Sequence, residues 1–197
     1  MVKSSVMPIF VAFAAFNHNG KKYVFITVRK FPESSFYVKY RIIISIIVLN
    51  LLLADELTVV NQYIVQYEMC SNWWYGKLHH AIRKQAMDEM LHTEWLIERI
   101  IFLDETPTVS RLNGMKIGKT VSEIVHNENA VELNVFKEYN EAIKLPCEVD
   151  DQGSIELLTK ILKMEEGHVD WAEIQEAQIE QMGLENYLVN QTESSTG

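Results

Sequence analysis

The chain has 197 residues, 18 of them Lys or Arg and 27 Asp or Glu, for a formal net charge of −9. That length suits one domain of ordinary size. The acidity argues against nucleic acid as a partner, since phosphate binding needs clustered Lys and Arg, and it suits attraction of cations. The charge is also unevenly spread: residues 1–50 hold one acid and seven bases, whereas residues 51–197 hold 26 acids and 11 bases. Such a break marks a domain boundary. Cys70 and Cys147 are the only cysteines; without a C-x-x-C they read as reduced thiols of a cytoplasmic protein.

In chain order, residues 1–42 come first as an extension. Val6–Phe16 is apolar, follows Lys3 and has Ala12-Phe13-Ala14 behind it, a weak likeness to a secretion signal. Tyr23–Val28 reads as a strand after an Asn19-Gly20 turn, which gives a hairpin. Three accounts of this segment stand side by side: an upstream start that is not part of the working protein, an added element on the outside of an assembly, or a signal peptide. Four long helical stretches follow. The first runs from about Ile43 to Asn72, with Leu49, Leu52, Leu53, Glu56, Leu57, Val60, Tyr63 and Ile64 inward. Its apolar run Ile43–Leu53 is about half of what a membrane span needs. The second runs from about Tyr75 to Leu103. Residues 104–119, with Pro107, Asn113, Gly114 and Gly118, read as a long crossover. A third helix spans about Thr120 to Val149, capped by Thr120 or Ser122, with Pro146 expected to kink it or end it early. The fourth spans Ser154 to Met182 and stops at Gly183. Leu184–Val189 forms one further short helix, and residues 192–197 a disordered tail. Short loop, long loop, short loop is the connectivity of a ferritin-like four-helix bundle with a single long crossover, an all-α fold.

A repeat lies on these helices. Glu56, Glu89 and His92 recur further along the chain, with their spacing unchanged, as Glu132, Glu165 and His168. Each unit is a single carboxylate followed, at the same interval in both copies, by Glu-x-x-His. At about 100° per residue, a Glu and a His three apart share one helix face. Two such helices and two single-Glu helices bring four carboxylates and two imidazoles together inside a bundle, the pattern of di-iron and di-manganese carboxylate proteins. A third copy, Glu123-x-x-His126, lies too close before Glu132 to share its direction. It sits about half a turn around the same helix, and so points away.

Residues 49–191 resemble bacterioferritin, the haem-containing branch of the ferritin superfamily. The resemblance is carried by Glu56-Leu-Thr-Val-Val-Asn-Gln-Tyr63, Met87-Asp-Glu-Met-Leu-His92, Leu96-Ile-Glu-Arg-Ile-Ile-Phe-Leu103, Glu165-Glu-Gly-His-Val-Asp-Trp171 and Gly183-Leu-Glu-Asn-Tyr-Leu188. It implies an iron-storage subunit whose ferroxidase ligands are Glu56, Glu89, His92, Glu132, Glu165 and His168. They would hold two iron ions per subunit, with Glu89 and Glu165 as the bridges. It implies Fe(II) and oxygen or peroxide as substrates, and a ferredoxin-type reductant for iron release. It further implies a hollow homo-oligomer of 24 subunits built from twofold dimers, cytoplasmic, with no nucleic acid or membrane as partner. A tyrosine beside the ligands is implied at Tyr63; Tyr139 stands in the same relation to Glu132, and the resemblance gives it no role. Met90 follows Glu89 and so points about 100° away from the metals. The resemblance makes it the axial ligand of a haem b shared by two subunits, in a pocket with Leu57, Asn61, Ile64 and Met87. Asn72, Asp104 and Asp170 match positions associated with a pore between subunits; exposed polar groups near helix ends would look the same. Lys84 and Gln85 depart from the family's His and Glu on the cavity side of the second helix, which puts an inner-surface iron site in doubt although Asp88 remains. Two rival readings are a rubrerythrin-related di-iron oxidase or peroxidase, whose usual second iron centre needs C-x-x-C pairs missing here, and a haem-carrying structural subunit of a mixed shell.

Overall fold

A computed structural model describes residues 10–17, 20–27 and 33–193. The chain divides into two compact units, Met1–Tyr40 and Arg41–Gly197. In the first, strands β1 (Phe10–Asn17) and β2 (Gly20–Thr27) pair antiparallel, from Phe10 opposite Thr27 to Asn17 opposite Gly20. The expected strand is therefore present and starts earlier, at Gly20 rather than Tyr23. Val28, Asn19 and residues 6–9 of the apolar segment lie outside the described residues.

Helix α1 (Glu33–Asn72) begins in the first unit and continues into the second, well ahead of the expected start at Ile43. The reason is chemical: Pro32 stands just before it, where proline is tolerated, and no Gly or Pro interrupts the next 40 residues. The second unit adds α2 (Gly76–Phe102), α3 (Val121–Ala142), α4 (Lys144–Glu148), α5 (Gln152–Met182) and α6 (Leu184–Gln191). Pro146 ends α3 at Ala142, because its missing N–H is the one that residue 142 would have accepted from. The chain then makes the short α4 and turns at Asp150, whose φ is 54°. Asp151 caps α5 through the Ser154 N–H at 3.2 Å and pairs with Arg99 of α2 at 2.5 Å. Thr120 caps α3 through the Glu123 N–H, and the Glu123 carboxylate reaches back to the Lys119 N–H at 2.7 Å. Gly183, with φ at 81°, separates α5 from α6.

The crossover, residues 103–120, is tied along α1. Asn50 accepts from the Thr108 N–H, Thr58 from the Asn113 N–H and Gln62 from the Lys116 N–H, each at 2.8 Å. Inside, Leu49, Leu53, Ile82, Leu96, Ile100, Ile124, Leu158 and Ile161 are fully buried. Each contributes about 2 kcal/mol by leaving water. Ile42–Asn72 of α1 is long and apolar enough to cross a membrane by length and composition, more than the Ile43–Leu53 run suggests. It is the core helix of the bundle, and it carries buried Glu56, Gln62 and Gln66. Of the expected inward residues on α1, Ile64 is instead 37% exposed. Two residues of the expected tail are held: the Glu193 carbonyl accepts from Gly76 N–H at 3.1 Å, beside a Thr192 hydroxyl bonded to the Val189 carbonyl. Residues 194–197 lie outside the described residues.

Candidate metal centre

Each long helix delivers its share. Helix α1 brings Glu56, α2 brings Glu89 and His92, α3 brings Glu132, and α5 brings Glu165 and His168. All six side chains are buried. They form two overlapping groups, Glu56–Glu89–His92–Glu165 and Glu89–Glu132–Glu165–His168, with the donor atoms of each group within 4.8 Å of one another. Glu89 and Glu165, the pair shared by both groups, are the Glu residues of the two Glu-x-x-His units.

Nδ1 of His92 lies 2.8 Å from Glu89, 2.9 Å from Glu165 and 3.8 Å from Glu56. Nδ1 of His168 lies 2.8 Å from Glu89, 3.5 Å from Glu165 and 3.9 Å from Glu132. The tyrosines cross over: Tyr63 of α1 donates to Glu132 of α3, and Tyr139 of α3 donates to Glu56 of α1. Sequence reasoning left Tyr139 without a role. The signal was available, since the internal repeat that carries Glu56 onto Glu132 also carries Tyr63 onto Tyr139.

Electrostatics describe a site that holds protons when it holds no metal. Burial, then the nearby Glu89 charge, pushes Glu56 and Glu132 well above the usual carboxylate range. Burial works the same way on Glu89, but hydrogen bonds from His168 and His92 outweigh it and hold Glu89 below that range. Burial would lower the imidazoles, yet carboxylate hydrogen bonds led by Glu165 raise His92 to about 12 and His168 to about 11. Four carboxylates in one buried pocket are costly without a counter-charge. One oxygen of Glu56 and one of Glu132, both buried, also have no hydrogen-bond partner. Orphaned acceptors of this kind, with two imidazoles, fit a pair of divalent cations of the iron, manganese or zinc type.

Outside the centre, Glu123 and His126 point away as expected; His126 pairs with Glu176 at 3.1 Å on the surface. Lys84 pairs with Asp88 at 2.8 Å, Gln85 is buried, and Asp88 lies 3.6 Å from the far nitrogen of His168. Met90 is 48% exposed; Asn61, Ile64 and Met87 are exposed as well, and Leu57 is partly buried. Asn72, Asp104 and Asp170 are each exposed. Cys70 is buried and Cys147 exposed, both as free thiols.

Known proteins agree with this architecture. A ferritin-like domain family matches residues 47–182. A bacterial ferritin of Synechocystis sp. is 39% identical over 144 residues, covering 73% of this chain and 92% of the relative. A bacterioferritin of Mycobacterium leprae is 36% identical over 139 residues, covering 71% and 87%. A bacterial ferritin of Paramagnetospirillum magnetotacticum is 37% identical over 143 residues, with the same coverage. The chain belongs to the ferritin-like domain family and, within it, to the bacterioferritins.

Proposed function

We propose that the protein oxidises Fe(II) to Fe(III) at the buried centre, and that the ferric product is stored inside a hollow homo-oligomer. The observation that carries this reading is the pair of overlapping ligand groups sharing Glu89 and Glu165. Membership of an iron-storage family supports it. Glu56, Glu89, His92, Glu132, Glu165 and His168 are the ligands, with Glu89 and Glu165 as bridges. When bound, paired iron supplies one-electron chemistry from two adjacent ions towards oxygen or peroxide. The protein's own part is binding and orientation. Tyr63 and Tyr139 hold Glu132 and Glu56 by hydrogen bonds from opposite helices. The aliphatic layers around Leu53 and Leu96 keep water out. Four carboxylates balance the charge of two divalent ions and favour the more highly charged ferric product.

Haem b is proposed at the Met90 face, shared between two subunits of a twofold dimer; the support is the exposed apolar set Ile64, Met87 and Met90. A cytoplasmic shell of 24 subunits and a ferredoxin-type reductant complete the proposal.

The test is an anaerobic Fe(II) titration followed by oxygen. Two Fe(II) should bind per chain and oxidise rapidly. Glu89→Ala and His168→Ala should each slow that phase by about a hundredfold or more, since each opens the ligand set. Unchanged initial rates in both variants would sink the assignment.

A further inference from the structure

The two imidazoles of the centre differ on their outer side. His92 Nε2 is buried and has no hydrogen-bond partner. His168 Nε2 instead meets Oδ2 of Asp88 at 3.6 Å. That gap is too long for a hydrogen bond. The same Asp88 oxygen is held by Lys84 Nζ at 2.8 Å, from one turn back on α2. Asp88 Oδ2 therefore stands between an ammonium and a candidate ligand, and the ammonium has it. The Lys84 side chain is 77% exposed and that of Asp88 24%. An ion pair so open to water is weak and readily broken.

The internal repeat supplies a control. In its register His168 corresponds to His92, Asp88 to Met164 and Lys84 to Lys160. The lysine is kept and the carboxylate is not. Lys160 lies over the ring of Trp95, 3.3 Å from its centroid, and Met164 brings no charge. The contest for a carboxylate thus belongs to one half of the centre alone. A histidine that binds metal through one ring nitrogen donates the N–H of the other to a partner, which fixes the ring and strengthens it as a ligand. Nδ1 of His168 faces Glu89, Glu165 and Glu132. The partner for its other nitrogen is Asp88, and Lys84 competes for it.

We propose that Lys84 is a latch on the Glu132–His168 half of the metal centre. While Lys84 holds Asp88, His168 lacks the carboxylate's hydrogen bond and a metal ion there is held loosely. When Lys84 lets go, Asp88 accepts from His168 Nε2–H and the ion is held firmly. The inference rests on the metal-centre reading above. Only side chains move; no covalent bond changes. Lys84 and Asp88 belong to neither ligand group and act through His168, as positioning residues. The consequence is an unequal pair, in which the ion of the His168 half exchanges faster than the ion of the His92 half.

The experiment titrates the full metal-free chain with Co(II) at constant pH, read by visible absorption and by the hyperfine-shifted signal of His168 Nε2–H. The parent should bind two Co(II) per chain with unequal affinity. Lys84→Met keeps the stem and removes the ammonium. It should tighten the weaker site about tenfold, the scale of support for a ligating histidine. It should also slow loss of that Co(II) to a chelator and slow solvent exchange of the N–H signal. Lys84→Arg keeps the ion pair and should match the parent. Lys160→Met removes the same charge from the corresponding place and should leave the ratio of the two affinities at the parent's value. Asp88→Ala should weaken the same site and, combined with Lys84→Met, cancel the gain. An affinity ratio in Lys84→Met equal to that in Lys160→Met, or a gain that survives undiminished in the Asp88→Ala background, overturns this inference alone. Failure of the parent chain to bind two Co(II) overturns the metal-centre reading and this inference with it.

Discussion

Glu89 touches both imidazoles, whereas Glu56 and Glu132 each meet a tyrosine. Burial and the neighbouring Glu89 charge keep protons on Glu56 and Glu132, whereas the two imidazoles draw Glu89 to its charged form, so that without metal His92, His168, Glu56 and Glu132 hold protons and Glu89 does not. Two consequences follow with definite sign. Metal must displace those protons, so affinity for Co(II) should fall as pH falls, about tenfold per pH unit for each proton displaced. Calorimetry in buffers of different ionisation enthalpy should register several protons released per chain. Absence of release would refute the protonation pattern. For the metal-free protein the sign is opposite. The imidazoles are raised from 6.5 to about 12 and about 11, so their stabilising contribution is complete below pH 6.5 and is lost as pH rises towards those values. The raised carboxyls act in the same direction above pH 4.5. At this scale the six candidate ligands were legible because helical periodicity turns spacing into direction. The approach of Asp88 to His168 was not, since it joins two helices whose mutual rotation the spacing does not give.

Among the elements, the crossover depends most on a few hydrogen bonds. Thr58 is buried, donates to the Ala54 carbonyl at 2.6 Å and accepts from the Asn113 N–H. Thr58→Val keeps the shape and removes the acceptor, leaving the Asn113 N–H unpaired. We expect a loss of about 1–2 kcal/mol in chemical denaturation of the metal-free chain, with two Co(II) still bound. A loss of metal binding would show that the crossover holds Glu56 in place as well as its own backbone. Helix positions were readable from apolar spacing, Pro146 and the Thr120 cap. The start of α1 was readable only from Pro32 and the lack of Gly or Pro after it, a weaker signal than the apolar run from Ile43 that drew the expected boundary. The seating of the crossover on Asn50, Thr58 and Gln62 was also hidden: each bond joins groups far apart in the chain.

On the scale of the whole molecule, the candidate ligands Glu89 and His92 are buried and Met90 is exposed on the same turn of α2, so the proposed metal and haem sites should be separable by mutation. Met90→Leu should abolish haem in the purified protein and leave the rate of Fe(II) oxidation and the assembly size by light scattering unchanged. Haem retained in that variant would mean a different axial ligand. The bundle as a whole was legible because one motif repeated twice fixes four helices; the exposure of Ile64 was not, since apolar spacing alone put it on the inner face. The crossed tyrosines have a last consequence. Each half of the repeat carries its own carboxylate and its own Glu-x-x-His, yet borrows the hydroxyl that steadies its single Glu from the other half. A chain cut in the crossover would yield two pieces, each holding half the donors and neither able to orient its single carboxylate. The two halves are copies in spelling, and they are interlocked rather than self-sufficient.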